Sequence, residues 1–93
     1  MEVAFTPAAI ADLIGIRTYI AQFNPAAAGR VSDRLLTAAF SLADFPRRGR
    51  PNPDGSRALT SVYPYIIIYD IDRDRVAILR IMHGARERPH EST

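Results

Sequence analysis

The run Tyr65-Ile66-Ile67-Ile68-Tyr69 limits the possible folds more than any other stretch of this chain. Its residues are β-branched or aromatic, and they are apolar on both faces of an extended backbone. That pattern belongs to a central strand. The flanking sequence reads as sheet too. Asp72-Arg73-Asp74 makes a turn, Val76 to His83 makes the returning strand, and Gly84 ends it. Arg57 to Val62 makes a shorter strand ahead of the run.

Upstream the period changes from two to between three and four. Glu2 to Phe5 is a short, partly apolar strand, stopped by Thr6-Pro7, which suits an N-cap and the first helical turn. Ile10, Leu13, Ile16, Ile20 and Phe23 then fall on one helical face. Asn24-Pro25 breaks that helix, because proline lacks an N–H and restrains the residue before it. A second helix follows with Val31, Leu35, Ala38 and Leu42 on one face, while Leu36 and Phe40 widen the apolar arc. Asp44 to Ser56, with three prolines, two glycines and Arg47-Arg48-Gly49-Arg50, reads as a loop. The expected fold is α+β in the order β-α-α-β-β-β: an N-terminal strand, an αα-hairpin and a three-stranded antiparallel meander. The helices should pack on one sheet face and leave the other partly open. The tail from Ala85 to Thr93 is polar and is expected to be loose.

Ninety-three residues suit one domain, residues 1–93, with a small core. There is no cysteine, so stability must come from packing. No stretch approaches the roughly 20 apolar residues of a membrane span, and the start does not read as a signal peptide, so the cytoplasm is the expected location. All twelve basic residues are arginine. Arginine suits bidentate phosphate or carboxylate recognition, although GC-rich codon usage explains the bias as readily. A net charge of +2 is too small to argue nucleic-acid binding by itself.

Strand alternation puts Ala77, Leu79 and Ile81 on one side of the last strand, suited to the helix-covered face, and Val76, Ile78, Arg80 and Met82 on the other. Arg80 amid apolar residues needs a ligand, solvent or a salt bridge to an acid such as Asp70. His83 could act as an acid or base, yet a strand-end histidine more often caps a carbonyl or packs on an aromatic. Alternation also sets it on the face opposite Arg80. Arg47, Arg48, Arg50, Arg57, Arg86 and Arg88 could line one end of the sheet with positive charge, suited to RNA phosphate or an acidic protein. A Gly-rich phosphate loop, HExxH, GxSxG and a metal-spaced cluster are all missing from the sequence, so no cofactor and no metal is expected.

Phe5-Thr6-Pro7, Asp12-Leu13, Tyr19-Ile20-Ala21, Asn24-Pro25, Phe45-Pro46-x-x-Gly49-Arg50-Pro51, Pro64-Tyr65-Ile66-Ile67-x-Tyr69 and Leu79-Arg80-Ile81-x-His83-Gly84-Ala85-Arg86 follow one another in a set order. This series, from about Val3 to Pro89, resembles the RelE/ParE superfamily of toxins from type II toxin–antitoxin systems. The resemblance implies a toxin neutralised by a cognate antitoxin encoded beside it, with growth arrest and plasmid stabilisation as the setting. RelE-type members are ribosome-dependent endoribonucleases acting on mRNA, whereas ParE-type members poison DNA gyrase.

Cleaving RNA through its 2′-hydroxyl needs a base, an acid and cations for the phosphate. Lysine is absent here, the Asp44–Ser56 loop has no glutamate, and no tyrosine follows Tyr69. Only Arg57, Arg80 and His83 match nuclease-type positions, so the expected branch is ParE-like, with a ParD-like antitoxin and gyrase as target. Arg50, Arg57, Arg80 and Arg86 are then candidates for target binding. Leu36 and Phe40, offset from the Val31–Leu42 face, are candidates for antitoxin binding, with ordinary core packing as the competing reading. An inactive relative that only binds its antitoxin is a third possibility.

Overall fold

The computed structural model describes residues 1–85. It contains β1 (Glu2–Phe5), α1 (Pro7–Ala21), α2 (Pro25–Phe40), a 3-10 turn (Ser41–Ala43), β2 (Arg50–Pro51), β3 (Arg57–Leu59), β4 (Tyr65–Asp72) and β5 (Arg75–His83). Arg86, the rest of the tail and the target role expected of Arg86 lie outside the described residues.

Both helices start as their sequences require. The Thr6 hydroxyl accepts from the Ala9 amide at 3.1 Å, and the Asn24 side chain accepts from the Ala27 amide at 3.1 Å. Each satisfies one of the amides a helix start leaves without a partner, and each is followed by proline at the position where a missing N–H costs nothing.

The five strands lie in the order β1-β5-β4-β3-β2. The meander β3-β4-β5 is antiparallel, whereas β1 pairs parallel with β5, from Glu2 opposite Arg75 to Phe5 opposite Ile78. The Asp44–Ser56 stretch is a loop that also carries β2, two residues paired with Arg57 and Ala58. So short an edge strand has no periodicity to read.

Tyr65, Ile67 and Tyr69 of β4 join Val76, Ile78 and Ile81 of β5, with Leu35, Ala38, Ala39 and Leu42, in one buried cluster. The helices therefore cover this face. The alternation expected on β5 is corrected here. Ile68 pairs with Arg80, but Tyr69 pairs with Ile78, so Leu79 is an extra residue in β5. This bulge turns Val76 and Ile78 to the same side as Ile81, where strict alternation puts them opposite.

The helical faces differ from expectation in part. Leu13, Ile16 and Ile20 pack against the core, but Ile10 and Phe23 are exposed, and fully buried Ala9 takes the place expected of Ile10. Phe23 falls beyond the end of α1, where its ring meets Tyr19 edge-on at 5.4 Å.

Candidate functional site: the basic loop and the two ends of the sheet

The arginine-rich loop is fastened from below. Tyr69, 0% exposed, donates its hydroxyl proton to the Pro46 carbonyl at 2.7 Å and accepts from the Gly49 amide at 2.8 Å. Gly49 has to be glycine, because a Cβ there would lie 2.6 Å from that hydroxyl and 3.0 Å from the Ala58 carbonyl. Arg57 donates to the carbonyls of Gly49 at 2.6 Å and Arg47 at 3.3 Å. Arg48 donates to the Ser41 hydroxyl at 2.6 Å. Arg57 is thus a positioning residue for the loop, while Arg47, Arg48 and Arg50 are exposed around it. Phe45 is 65% exposed at the loop's start.

At the other end of the sheet β1 leaves β5 after Ile78, so the next part of β5 loses its strand neighbour. The Thr6 amide and hydroxyl cover the carbonyls of Ile78 and Leu79. Asp12 on α1 then accepts from the Ile81 amide at 2.9 Å and takes the Arg80 guanidinium in two contacts, at 2.7 and 3.0 Å. Arg80 thus has the salt bridge considered for it, but to Asp12 on α1, where the sequence offered Asp70 as an example. Asp70 stands opposite Ala77. Burial pushes the Asp12 carboxyl up, but the hydrogen bonds from Arg80 and the Ile81 amide, with the Arg80 charge, outweigh it. The net shift is below the ordinary carboxylate value.

His83 meets the Tyr65 ring edge-on at 5.5 Å, the aromatic packing considered for it. Its Nδ1 is buried without a hydrogen-bond partner. Together with Asp12, Gly15, Tyr19 and Tyr65 it lines a recess of about 270 Å³ between α1 and the sheet.

The three nuclease-type residues do not converge. Arg80 stands opposite Ile68, whereas His83 stands opposite Tyr65 and Arg57 opposite Tyr69, on the alternate face. His83 and Arg57 share a face but lie four residues apart along β4, about 13 Å at strand rise. Tyr69, Gly49 and Asp12 stand in the motif series but sequence reasoning gave them no role; Tyr69 and Gly49 fasten the loop and Asp12 the edge of β5. Among the described residues, no group of three or more His, Cys, Asp or Glu could hold a metal ion, and no helix is long and apolar enough to cross a membrane.

The antitoxin candidates stand apart from the core. Leu36 is half-buried. Phe40 is 53% exposed, with its ring 5.8 Å from Phe5.

Known proteins agree with this architecture. The chain is 49% identical to "Toxin RelE2" of Caulobacter vibrioides, over 91% of this chain and 97% of that one. It is 32% identical to "Toxin RelE3" of the same organism, over 94% and 98%. Its fold matches the chromosomal ParDE toxin–antitoxin system from P. aeruginosa with a TM-score of 0.79 at 24% identity, covering 89% of this chain and 95% of that one. The toxin–antitoxin complex RelBE2 from Mycobacterium tuberculosis matches with a TM-score of 0.66 at 28% identity, covering 88% and 95%. The family profile described as "ParE toxin of type II toxin-antitoxin system, parDE" matches residues 3–88. On that match the chain belongs to the ParE toxin family, within the RelE/ParE superfamily of type II toxin–antitoxin toxins.

Proposed function

We propose that this toxin acts as ParE-type members do, by binding DNA gyrase and not by cutting RNA. One observation carries the reading: the groups nearest to a nuclease set are separated and engaged elsewhere. Arg57 holds loop carbonyls, Arg80 is paired with Asp12, and His83 lies on the other face against Tyr65. Among the described residues, the carboxylate beside Arg80 is that of Asp12, which is itself bonded to the guanidinium and to the Ile81 amide. Target contact falls to the exposed side chains of the loop, Arg50 first, with Arg57 holding the loop from within and Arg80 a second, separate contact at the edge where Asp12 holds it.

Plasmid supercoiling by gyrase tests this with the purified, antitoxin-free chain. Loss of supercoiling with accumulation of broken DNA is expected. Unaffected gyrase together with mRNA cleavage in a translating extract would defeat the proposal. The RelE name of the 49% identical relative favours that second reading, a ribosome-dependent endoribonuclease built around His83 and its recess. His83→Ala and Arg80→Ala would then abolish toxicity. Harmless overexpression without a partner would point to an inactive relative that only binds its antitoxin.

The inhibitor in this reading is a ParD-like antitoxin forming a hetero-oligomer with the toxin. A helix of that partner would lie on the offset stripe of Leu36 and Phe40, where Phe40 gains burial it lacks in the free chain. Substituting Leu36→Ser and Phe40→Ser together should weaken antitoxin binding while the chain stays folded. Unfolding would instead assign both residues to the core.

A further inference from the structure

We propose that the Phe45–Arg50 loop is a contact for single-stranded DNA, with a base stacked on Phe45 and phosphates held by Arg47 and Arg48. The inference deepens the gyrase reading by making DNA itself a contact of the toxin, and its test uses no gyrase.

Three observations carry it. The first is Phe45, 65% exposed yet fixed, since its amide bonds to the Ser41 carbonyl and its carbonyl accepts from the Arg48 amide. An exposed ring on a rigid turn offers a stacking face at little entropic cost. The second is the fastening described above, which leaves the loop's outer guanidiniums exposed in one arrangement. The third is charge. Phe45, Pro46, Arg47 and Arg48 line one depression, and Arg48 also borders a second, which contains Arg34, Ser41 and Ser61. Residues 44–50 carry three arginines against one aspartate, and Arg34 and Arg48 line the second depression with Asp33. Each nucleotide brings one flat apolar face and one negative charge, which is the pairing this turn offers. A stacked duplex would hide the base face from Phe45, so the fit is to a single strand.

The test is fluorescence anisotropy of a labelled oligodeoxythymidylate with the full chain. Saturable binding is expected, weakening with salt at a log–log slope of about −1.4 for two phosphates. Phe45→Ala should weaken binding about tenfold and leave the slope unchanged, since stacking is uncharged. Phe45→Tyr should retain it. Arg47→Ala with Arg48→Ala should remove about 1.4 from the slope. All of these variants keep the backbone contacts to Tyr69 and Arg57, and a thermal melt checks that they fold.

Absence of saturable binding, or binding indifferent to Phe45→Ala, overturns the inference. So does equal affinity for a DNA duplex, tenfold preference for the matching oligouridylate, or equal competition by polyglutamate, which would mark an acidic protein surface. Gyrase inhibition without oligonucleotide binding removes this inference and leaves the gyrase reading standing. Oligonucleotide binding without gyrase inhibition does the reverse.

Discussion

Each end of the sheet has an irregular segment to hold down, and the two ends do it with different chemistry. At the loop end a neutral hydroxyl, that of fully buried Tyr69, joins the Pro46 carbonyl to the Gly49 amide. At the β5 edge a charged pair does the work. Asp12 replaces the strand neighbour that β1 stops providing, and Arg80, its side chain 48% exposed, clasps the same carboxylate. Water and salt reach the second device and not the first. The buried hydroxyl should therefore fix its segment under all conditions, whereas the ion pair should respond to ionic strength and acid. The neutral device lies under the loop that carries exposed Phe45, Arg47, Arg48 and Arg50.

The contrast is tested most severely at Gly49. Gly49→Ala would force a methyl into the Tyr69 ring and the Ala58 carbonyl, neither of which is a flexible chain end. A loss of about 3 kcal/mol is expected from overpacking together with the broken hydroxyl contacts. For a domain of this size that lowers Tm by roughly 12–24 °C. Thermal unfolding followed by circular dichroism measures it. A loss within 1 kcal/mol would mean that the loop can move off the sheet and is not fixed.

Tyr69→Phe is the gentler version. The ring stays, but the Gly49 amide and the Pro46 carbonyl lose their partner. A loss of about 2 kcal/mol is expected, because unsatisfied buried groups cost more than a hydrogen bond contributes. The loss should be the same in 0.1 M and 1 M NaCl. A cost that falls steeply with added salt would erase the distinction between the two ends.

The features that depend on neighbours in sequence were legible in it. Thr6-Pro7 and Asn24-Pro25 start the helices because capping is local. The Tyr65–Tyr69 run became part of β4, a central strand between β5 and β3, with Tyr65, Ile67 and Tyr69 buried under the helices and Ile66 and Ile68 half-buried on the other face. The features that were missed rest on contacts between distant residues. The bulge at Leu79 changes the sidedness of Val76 and Ile78, and no residue type announces it. Arg80 finds Asp12, 68 residues away, because α1 happens to cross the exposed edge of β5. Arg57 and Arg50 looked alike as positive charges, but the loop closes over one and leaves the other outside. The antitoxin stripe was partly legible, because Phe40 is offset from the face that buries Leu35 and Ala38.

The smallest effect expected lies at the ionic end, and its sign can be worked out. The native carboxyl of Asp12 titrates below its ordinary value. Its contribution is then fully present above the unfolded value, near 3.9, and is lost as pH falls through the lowered native one. The pair is surface-screened, so about 0.5–1 kcal/mol is at stake. Asp12→Asn should lose that amount at pH 7 in 0.1 M salt, while its remaining side-chain oxygen can still accept from the Ile81 amide. Urea unfolding of both proteins between pH 7 and pH 2.5 should show two curves that converge below about pH 4, and added salt should narrow the gap at neutral pH. Asp12→Ala removes the acceptor as well and should cost about 1 kcal/mol more, with that increment insensitive to salt. A gap that stays constant down to pH 2.5 would show that the carboxylate charge contributes nothing. The edge of β5 would then depend on a hydrogen bond alone, as the loop does, and the two ends would not differ in kind.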